Sequence, residues 1–274
     1  MKIWLDGKLQ DAEDARVSVF DHGLTVGDGV FETLKATHGQ AFAVTRHLDR
    51  LAVSARGLGL PEPDLDEVRR ACDAVLEADP LPYGRLRITY TGGVSPLGSD
   101  RGTTGPTLVV ALGGAKRRAD STAAVTVPWV RNERGALAGL KTTSYAENVM
   151  ALARAHAQDA TEAIFANTVG QLCEGTGSNV FVVLDGALHT PPLAAGCLAG
   201  ITRALTAEWT GAQETELPLD VLERADEIFL TSTLRDVQAV DRLDGRTLPG
   251  APGPVTAKAM RVFAERSAAD PDPR

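Results

Sequence analysis

Lys141 closes an apolar run, Ala136-Leu137-Ala138-Gly139-Leu140, that contains no acidic residue. The chain has six lysines, and the other five (Lys2, Lys8, Lys35, Lys116 and Lys258) sit in polar or turn-like surroundings. A lysine partly withdrawn from water loses pKa, and a neutral amine condenses readily with an aldehyde. Four further stretches carry groups that suit such chemistry. Cys173-Glu174-Gly175-Thr176-Gly177-Ser178-Asn179 sets a carboxylate before small residues, which let a flat ligand come close to the backbone and let the carboxylate hold a ring nitrogen protonated. Leu198-Ala199-Gly200-Ile201-Thr202 leads into a helical pattern, where free amides and a hydroxyl favour an anion such as phosphate. Thr231-Ser232-Thr233 puts hydroxyls and turn amides at a strand end. Arg50, in His47-Leu48-Asp49-Arg50-Leu51, offers a bidentate phosphate contact. Taken singly, each stretch is also what a surface lysine, a glycine-rich turn, an N-cap threonine, a strand-end turn or a helix-surface arginine looks like.

The elements that must position these residues follow from pattern. Ile3-Trp4-Leu5, Asp6-Gly7 and Lys8-Leu9 predict a hairpin, since Asp-Gly suits a type I′ turn. Val17–Phe20 reads as a brief strand, Val30 onward as an alternating strand, and Gln40–Val44 as its partner. Thr45 is the expected cap of a helix whose His47, Leu48, Leu51 and Ala55 share one face and which Gly57 and Gly59 end. Asp64 opens a second helix, with Glu67 completing a capping box. Arg85–Thr91 and Thr107–Leu112 are strands joined by a long polar loop over residues 92–102. A small, basic stretch at 113–121 marks the boundary between domains 1–115 and 122–274. Beyond it come a strand from Ala123, a helix over 146–158, strands at 162–166, 179–184, 187–189 and 227–231, and helices at 202–210 and 254–266. The end, AADPDPR, reads as frayed.

Composition bounds the possibilities. A length of 274 residues with 43% hydrophobic and 23% charged residues is that of a globular protein with one large or two ordinary domains. The net charge of −8 opposes a dedicated nucleic-acid binder. No stretch approaches a membrane span, and charge interrupts the first residues too early for a signal peptide. Cys72, Cys173 and Cys197 have no metal-ligand spacing, so no metal is expected; read as reduced thiols, they suggest the cytoplasm.

The order GDGVFE, HLDRL, LKTTSYAENVM, CEGTGSNVF, LAGIT, TSTLRDV spans nearly the whole chain. It resembles the class-IV aminotransferases, a family dependent on pyridoxal 5′-phosphate (PLP) that includes branched-chain and D-amino acid aminotransferases and aminodeoxychorismate lyase. The resemblance implies a fold type IV architecture of class α/β (α+β, two domains): an N-terminal α/β sandwich and a C-terminal pseudo-barrel, with PLP in the cleft between them. It makes Lys141 the Schiff-base lysine and general base, and Glu174 the partner of the pyridine nitrogen. Arg50, the Ile201 amide, Thr202, Ser232 and Thr233 match phosphate-binding positions, Thr176 and Gly177 line the ring, and Tyr145 reaches toward the cofactor's phenolic oxygen. Phe31 stands where D-amino acid aminotransferases usually carry tyrosine. Their arginine–histidine pair near residue 92 is absent here, which leaves Arg87 and Arg101 as the nearest grips for a substrate carboxylate. The branched-chain Gly-Asn-Tyr after the lysine is also missing. Length and Phe31 favour aminodeoxychorismate lyase, making 4-aminobenzoate and pyruvate for folate synthesis. The alternatives are a transaminase of D-amino or branched-chain amino acids and a catalytically silent PLP-binding protein. A small amino substrate and a homodimer are the partners the resemblance implies.

Overall fold

The computed structural model describes residues 1–274, which separate into two units: Met1–Arg117 with Leu140–Tyr145 and Asp270–Arg274, and Arg118–Gly139 with Ala146–Ala269. The chain thus divides within the small basic stretch. The segment carrying Lys141 and the last five residues, however, group with the first unit, where residues 122–274 had been expected to stay together. The reason is backbone pairing, described below.

In the first unit the strands are β1 (Lys2–Leu5), β2 (Lys8–Asp11), β3 (Gly29–Thr37), β4 (Gln40–Ala41), β5 (Gly84–Thr91) and β6 (Thr107–Gly114). They form an antiparallel sheet in the order β2-β1-β6-β5-β3-β4. Asp6 and Gly7 have φ of 42° and 83°, the doubly positive turn that Asp-Gly favours. The helices are α1 (His22–Thr25), α2 (Val44–Leu58) and α3 (Leu65–Ala78). Leu48, Leu51 and Ala55 of α2 and Val68, Ala71, Val75 and Leu76 of α3 join Val30, Leu34, Leu86, Ile88 and Val110 of the sheet in one core. Asp64 caps α3 as expected, accepting from the Asp66 and Glu67 amides at 3.0 Å each.

Three expectations fail here. Val17–Phe20 forms no strand; Val17, Val19 and Phe20 are half-exposed or more, and the chain turns at Ser18, which accepts from the Phe20 amide at 3.1 Å and the Asp21 amide at 3.0 Å. Thr45 lies inside α2, whose N-cap is Ala43 in a left-handed conformation with no side-chain cap bond. The final segment is tied down: Pro271 O accepts from the Ala43 amide at 2.7 Å and Asp272 accepts from Thr45.

The second unit is built on a curled mixed sheet: β7 (Ser121–Arg131), β8 (Glu162–Asn167), β9 (Leu172–Gly175), β10 (Asn179–Leu184), β11 (Ala187–Thr190), β12 (Gln213–Glu214), β13 (Glu227–Ser232), β14 (Asp236–Leu243) and β15 (Arg246–Thr247). Its order is β12-β11-β10-β13-β14-β7-β8-β9, with β15 beside β14. β14–β7, β7–β8 and β11–β12 are parallel. Strands β8 and β10 are buried along almost their whole length, which is why their apolar runs do not alternate. Helices α4 (Ala146–His156), α5 (Ile201–Thr210), α6 (Val221–Arg224) and α7 (Pro254–Ala269) complete the unit.

Phe181 and Phe229, cross-strand partners with no solvent exposure, stack with centroids 4.7 Å apart. Phe229→Ala is expected to cost roughly 3–5 kcal/mol of stability in urea unfolding, the range for a large core aromatic; a loss below about 1 kcal/mol would mean that this stack is not the centre of the unit.

Candidate active site

In the first unit, residues 140–143 run antiparallel along the first half of β3. The Phe31 amide donates to Lys141 O at 3.0 Å, the Thr143 amide to Gly29 O at 2.8 Å, and Thr142 bridges Val30. Side chains alternate across a strand. Val30, Glu32 and Leu34 therefore face α2, and Phe31 faces the other way. Thr142, opposite Val30, is buried, while Lys141 turns to the Phe31 side. Its Nζ lies 4.3 Å from the Phe31 ring centroid. On β5, Thr89 pairs with Phe31 and Arg87 with Thr33, so Arg87 is the diagonal neighbour of Phe31 on the same face. Its guanidinium carbon stands 3.4 Å from the ring centroid. Burial lowers the Arg87 pKa, with Tyr145 pulling the other way. Tyr145 meets Phe31 edge-on at 5.3 Å. Phe31, Arg87, Lys141 and Tyr145 thus form one cluster.

Behind the sheet lies a buried ionic group that sequence reading did not single out. Glu32 has no solvent exposure and accepts from Arg50 Nε at 2.8 Å through Oε1 and from Nη2 at 2.6 Å through Oε2; His47 Nδ1 lies 2.6 Å from the same Oε2. Burial opposes the charge on Glu32, but Arg50 and then His47 outweigh it and hold the carboxyl at about 2. Burial lowers the His47 pKa; Glu32 works against that, and the Arg50 and Lys141 charges add to it. Arg50 therefore presents one guanidinium edge, Nε and Nη2, to Glu32. The signal was present: Glu32 shares the parity of Val30 and Leu34, and His47 and Arg50 are three apart on one helix face.

Arg101 is corrected. Its Nε and Nη2 grip Asp28 at 2.7 and 2.6 Å, Nη2 also donates to Leu58 O at 2.8 Å, and Nη1 donates to Gly59 O. These bonds fasten loop 92–102 to the end of α2, so Arg101 is a structural clasp and not a substrate grip. Gly93 in the same loop has φ of 72° and no room for a Cβ against Gly105 O, so only glycine serves there.

In the second unit Glu174 is half-buried on β9. It accepts from the Leu198 amide at 2.8 Å and lies 3.2 Å from Arg131 Nε. Arg131, missed in the sequence, lies over Phe165 with its guanidinium carbon 4.1 Å from the centroid and donates to Asn148 Oδ1 at 3.0 Å. Asn148 in turn donates to Thr176 O. Buried Glu162 accepts from the Thr176 amide at 2.9 Å and Ser178 Oγ at 2.7 Å, and Thr176 Oγ1 also donates to it. This fixes the small-residue turn, with Gly177 exposed at its tip. The Leu198–Thr202 segment is pinned to the same place: Asn179 Nδ2 donates to Leu198 O at 2.9 Å, and Gly200 packs so tightly on Asn179 that no Cβ fits. Asn179 pairs with Thr231, next to Ser232 and Thr233. Glu174, Thr176, Ile201, Thr202 and Ser232 are therefore brought to one end of the sheet. No side chain caps the start of α5 at Gly200, and Thr231 Oγ1 is buried without a hydrogen-bond partner.

The family model for class IV amino-transferases matches residues 29–243. The chain belongs to the class IV aminotransferase family. It is 36% identical, over 96% of its length and 95% of the relative's, to a Methanocaldococcus jannaschii protein assigned by name to the branched-chain-amino-acid aminotransferases. It is 33% identical to a Mycobacterium tuberculosis bifunctional aminodeoxychorismate lyase / D-amino acid transaminase, over 97% and 96%. Among solved structures, a branched-chain aminotransferase from Thermoproteus uzoniensis with norvaline superposes with a TM-score of 0.91 at 30% identity, covering 97% of this chain and 94% of that one. A hypothetical aminotransferase from M. tuberculosis, in its PLP-bound form, gives 0.88 at 30% identity, covering 98% and 100%.

Class IV aminotransferases are PLP enzymes, and the donor set fits that group. The first unit offers an amine able to condense with an aldehyde; the second offers a carboxylate and, separately, an uncapped helix start with an unpartnered buried hydroxyl nearby, a setting that suits an anion.

The buried ionic group makes stability pH-dependent. His47 and Glu32 both have folded pKa values below their unfolded ones, so the folded state binds fewer protons and stability is greatest above both unfolded values. As pH falls, the His47 contribution goes first, below the unfolded value of 6.5, and that of Glu32 follows from 4.5 toward about 2. The Glu32 part is on the order of 3 kcal/mol. Urea unfolding from pH 8 to 4 is expected to lose slope near pH 6.5 in His47→Gln; an unchanged slope would contradict this assignment.

Proposed function

We propose that this protein is a PLP-dependent transaminase that moves an amino group from a carboxylate-bearing amine to a 2-oxo acid. The observation that carries the reading is the Phe31 ring, which holds the Lys141 amine at 4.3 Å and the Arg87 guanidinium at 3.4 Å. An amine that reacts beside a fixed cation suits substrates with an anionic group close to the reacting carbon. Each relative described above is named for amino transfer, which supports the same reading.

When bound, PLP withdraws electrons from the substrate's α-carbon. Lys141 Nζ would supply the amine that holds the cofactor's aldehyde and would serve as the general base for the substrate's α-proton. Glu174, held by Arg131 and the Leu198 amide, would meet the ring nitrogen and keep it protonated. Ile201, Thr202, Ser232 and Thr233 would hold the phosphate by amides and hydroxyls, and the family pattern adds Arg50 to that role. Thr176 and Gly177 give the ring a flat, close approach. Tyr145 lies beside Phe31 on the Lys141 face, which suits a contact to the cofactor's phenolic oxygen. Arg87 orients the substrate carboxylate, and Phe31 excludes water beneath it.

The second reading is aminodeoxychorismate lyase, favoured by Phe31 and by the bifunctional M. tuberculosis relative. In it loss of the ring proton beside the substrate's amine breaks the carbon–oxygen bond to the enolpyruvyl group, which leaves as pyruvate, while the ring becomes aromatic as 4-aminobenzoate. The reading further takes the protein to be a homodimer, consistent with the exposed Val17, Val19, Phe20, Leu24 and Leu97, and cytoplasmic, consistent with three buried free cysteines.

Purified holoprotein should convert 2-oxoglutarate to glutamate with branched-chain or D-amino donors, and Lys141→Ala should lose at least about 1,000-fold in rate. Arg87→Gln should raise KM for amino donor or acceptor about tenfold, with kcat less affected. Release of 4-aminobenzoate from aminodeoxychorismate, with no amino transfer to any 2-oxo acid, would select the lyase.

A further inference from the structure

Helix α2 carries His47 and Arg50, which hold Glu32, and Ser54, whose Oγ accepts from the Lys141 amide at 3.2 Å. Leu140 also packs against Gly57 of this helix. Yet α2 begins without a cap of its own. Its N-cap residue, Ala43, is left-handed (φ 56°) and offers no side-chain oxygen, so its first-turn amides need an acceptor from elsewhere.

That acceptor comes from residues 270–274. Asp272 Oδ1 accepts from the Thr45 amide at 2.8 Å, the bond an N-cap side chain makes, and Oδ2 accepts from Thr45 Oγ1 at 2.6 Å. Arg69 Nη2 donates to the same hydroxyl at 2.9 Å. Pro271 O accepts from the Ala43 amide at 2.7 Å and Pro273 O from Arg46 Nε at 3.1 Å, so the segment is held on both sides of the carboxylate. A carboxylate here also meets the positive end of the helix dipole.

We propose that Asp272 is a positioning residue for the cofactor site: it supplies from 227 residues away the cap that α2 lacks, and so fixes where the helix presents Arg50 and Ser54. The inference rests on the reading above that Arg50 and Lys141 hold PLP. Loss of the cap frays the first turn, which lets His47, one turn further on, drift from Glu32. Arg50 and the Ser54 support of Lys141 loosen with it.

The test is titration of apoprotein with PLP, followed by the cofactor's absorbance, in parallel with thermal unfolding of the same apoproteins. Asp272→Ala is expected to weaken PLP binding about 3- to 30-fold. Asp272→Asn, which keeps an acceptor for the Thr45 amide, should recover most of that loss. Thr45→Val, which keeps the amide contact and removes only the hydroxyl, should fold and show a smaller loss. A merely structural role would lower the melting temperature while leaving the PLP dissociation constant unchanged. That result in Asp272→Ala, with binding weakened in Arg50→Gln, overturns the proposal. If Arg50→Gln also binds PLP normally, the reading of Arg50 fails first and the proposal fails with it.

Discussion

The pairing of residues 140–143 with the first half of β3 is the constraint on which the site's first unit depends. Two backbone bonds, Phe31 N to Lys141 O and Thr143 N to Gly29 O, set the register. Because side chains alternate, a slip of one residue would send Lys141 toward α2 and put Thr142 on the Phe31 ring. Everything chemical in this unit follows from that parity. Phe31 receives Lys141 from the edge segment, Arg87 from the diagonal position on β5 and Tyr145 from just beyond the pairing. The pairing also explains why a segment in the middle of the chain belongs with its first 117 residues.

Both units place acids inside the fold and satisfy them fully. Glu32 is shared by Arg50 and His47, and Glu162 by Thr176, Ser178 and the backbone amides of Ala163 and Thr176. Buried charge with its partners removed costs several kcal/mol, so each cluster has one well-defined arrangement. That rigidity suits a site in which side chains must stay in place while covalent bonds to a cofactor exchange. Glu174 differs from these two. It is only partly buried and is held by a cation and one amide among its partners.

Local patterns carried much of this fold. The Asp-Gly hairpin, the Asp64 cap and the alternation of β3 each have a short-range cause, and the structure shows each of them. The family motifs marked Lys141, Glu174 and the helix start at Ile201 without any knowledge of packing. What local pattern did not contain was contact between distant segments. Arg101 read as a spare cation because Asp28 and the end of α2 lie far from it in sequence. Thr45 read as a cap because it is the one good capping residue nearby, while the actual acceptor is Asp272. Val17–Phe20 is apolar enough for a strand, but a strand needs a partner edge, which no short window reveals. Arg131 and Asn148 gain their meaning only when strand β7 and helix α4 meet the turn at Thr176.

The central claim, that Lys141 is the residue joined covalently to PLP, is tested most directly by borohydride reduction of the holoprotein followed by peptide mapping. The account predicts a single pyridoxyl-modified peptide containing Lys141, with no label on Lys2, Lys8, Lys35, Lys116 or Lys258. Stable label on any of those lysines with Lys141 unmodified, or label undiminished in Lys141→Ala, would contradict it.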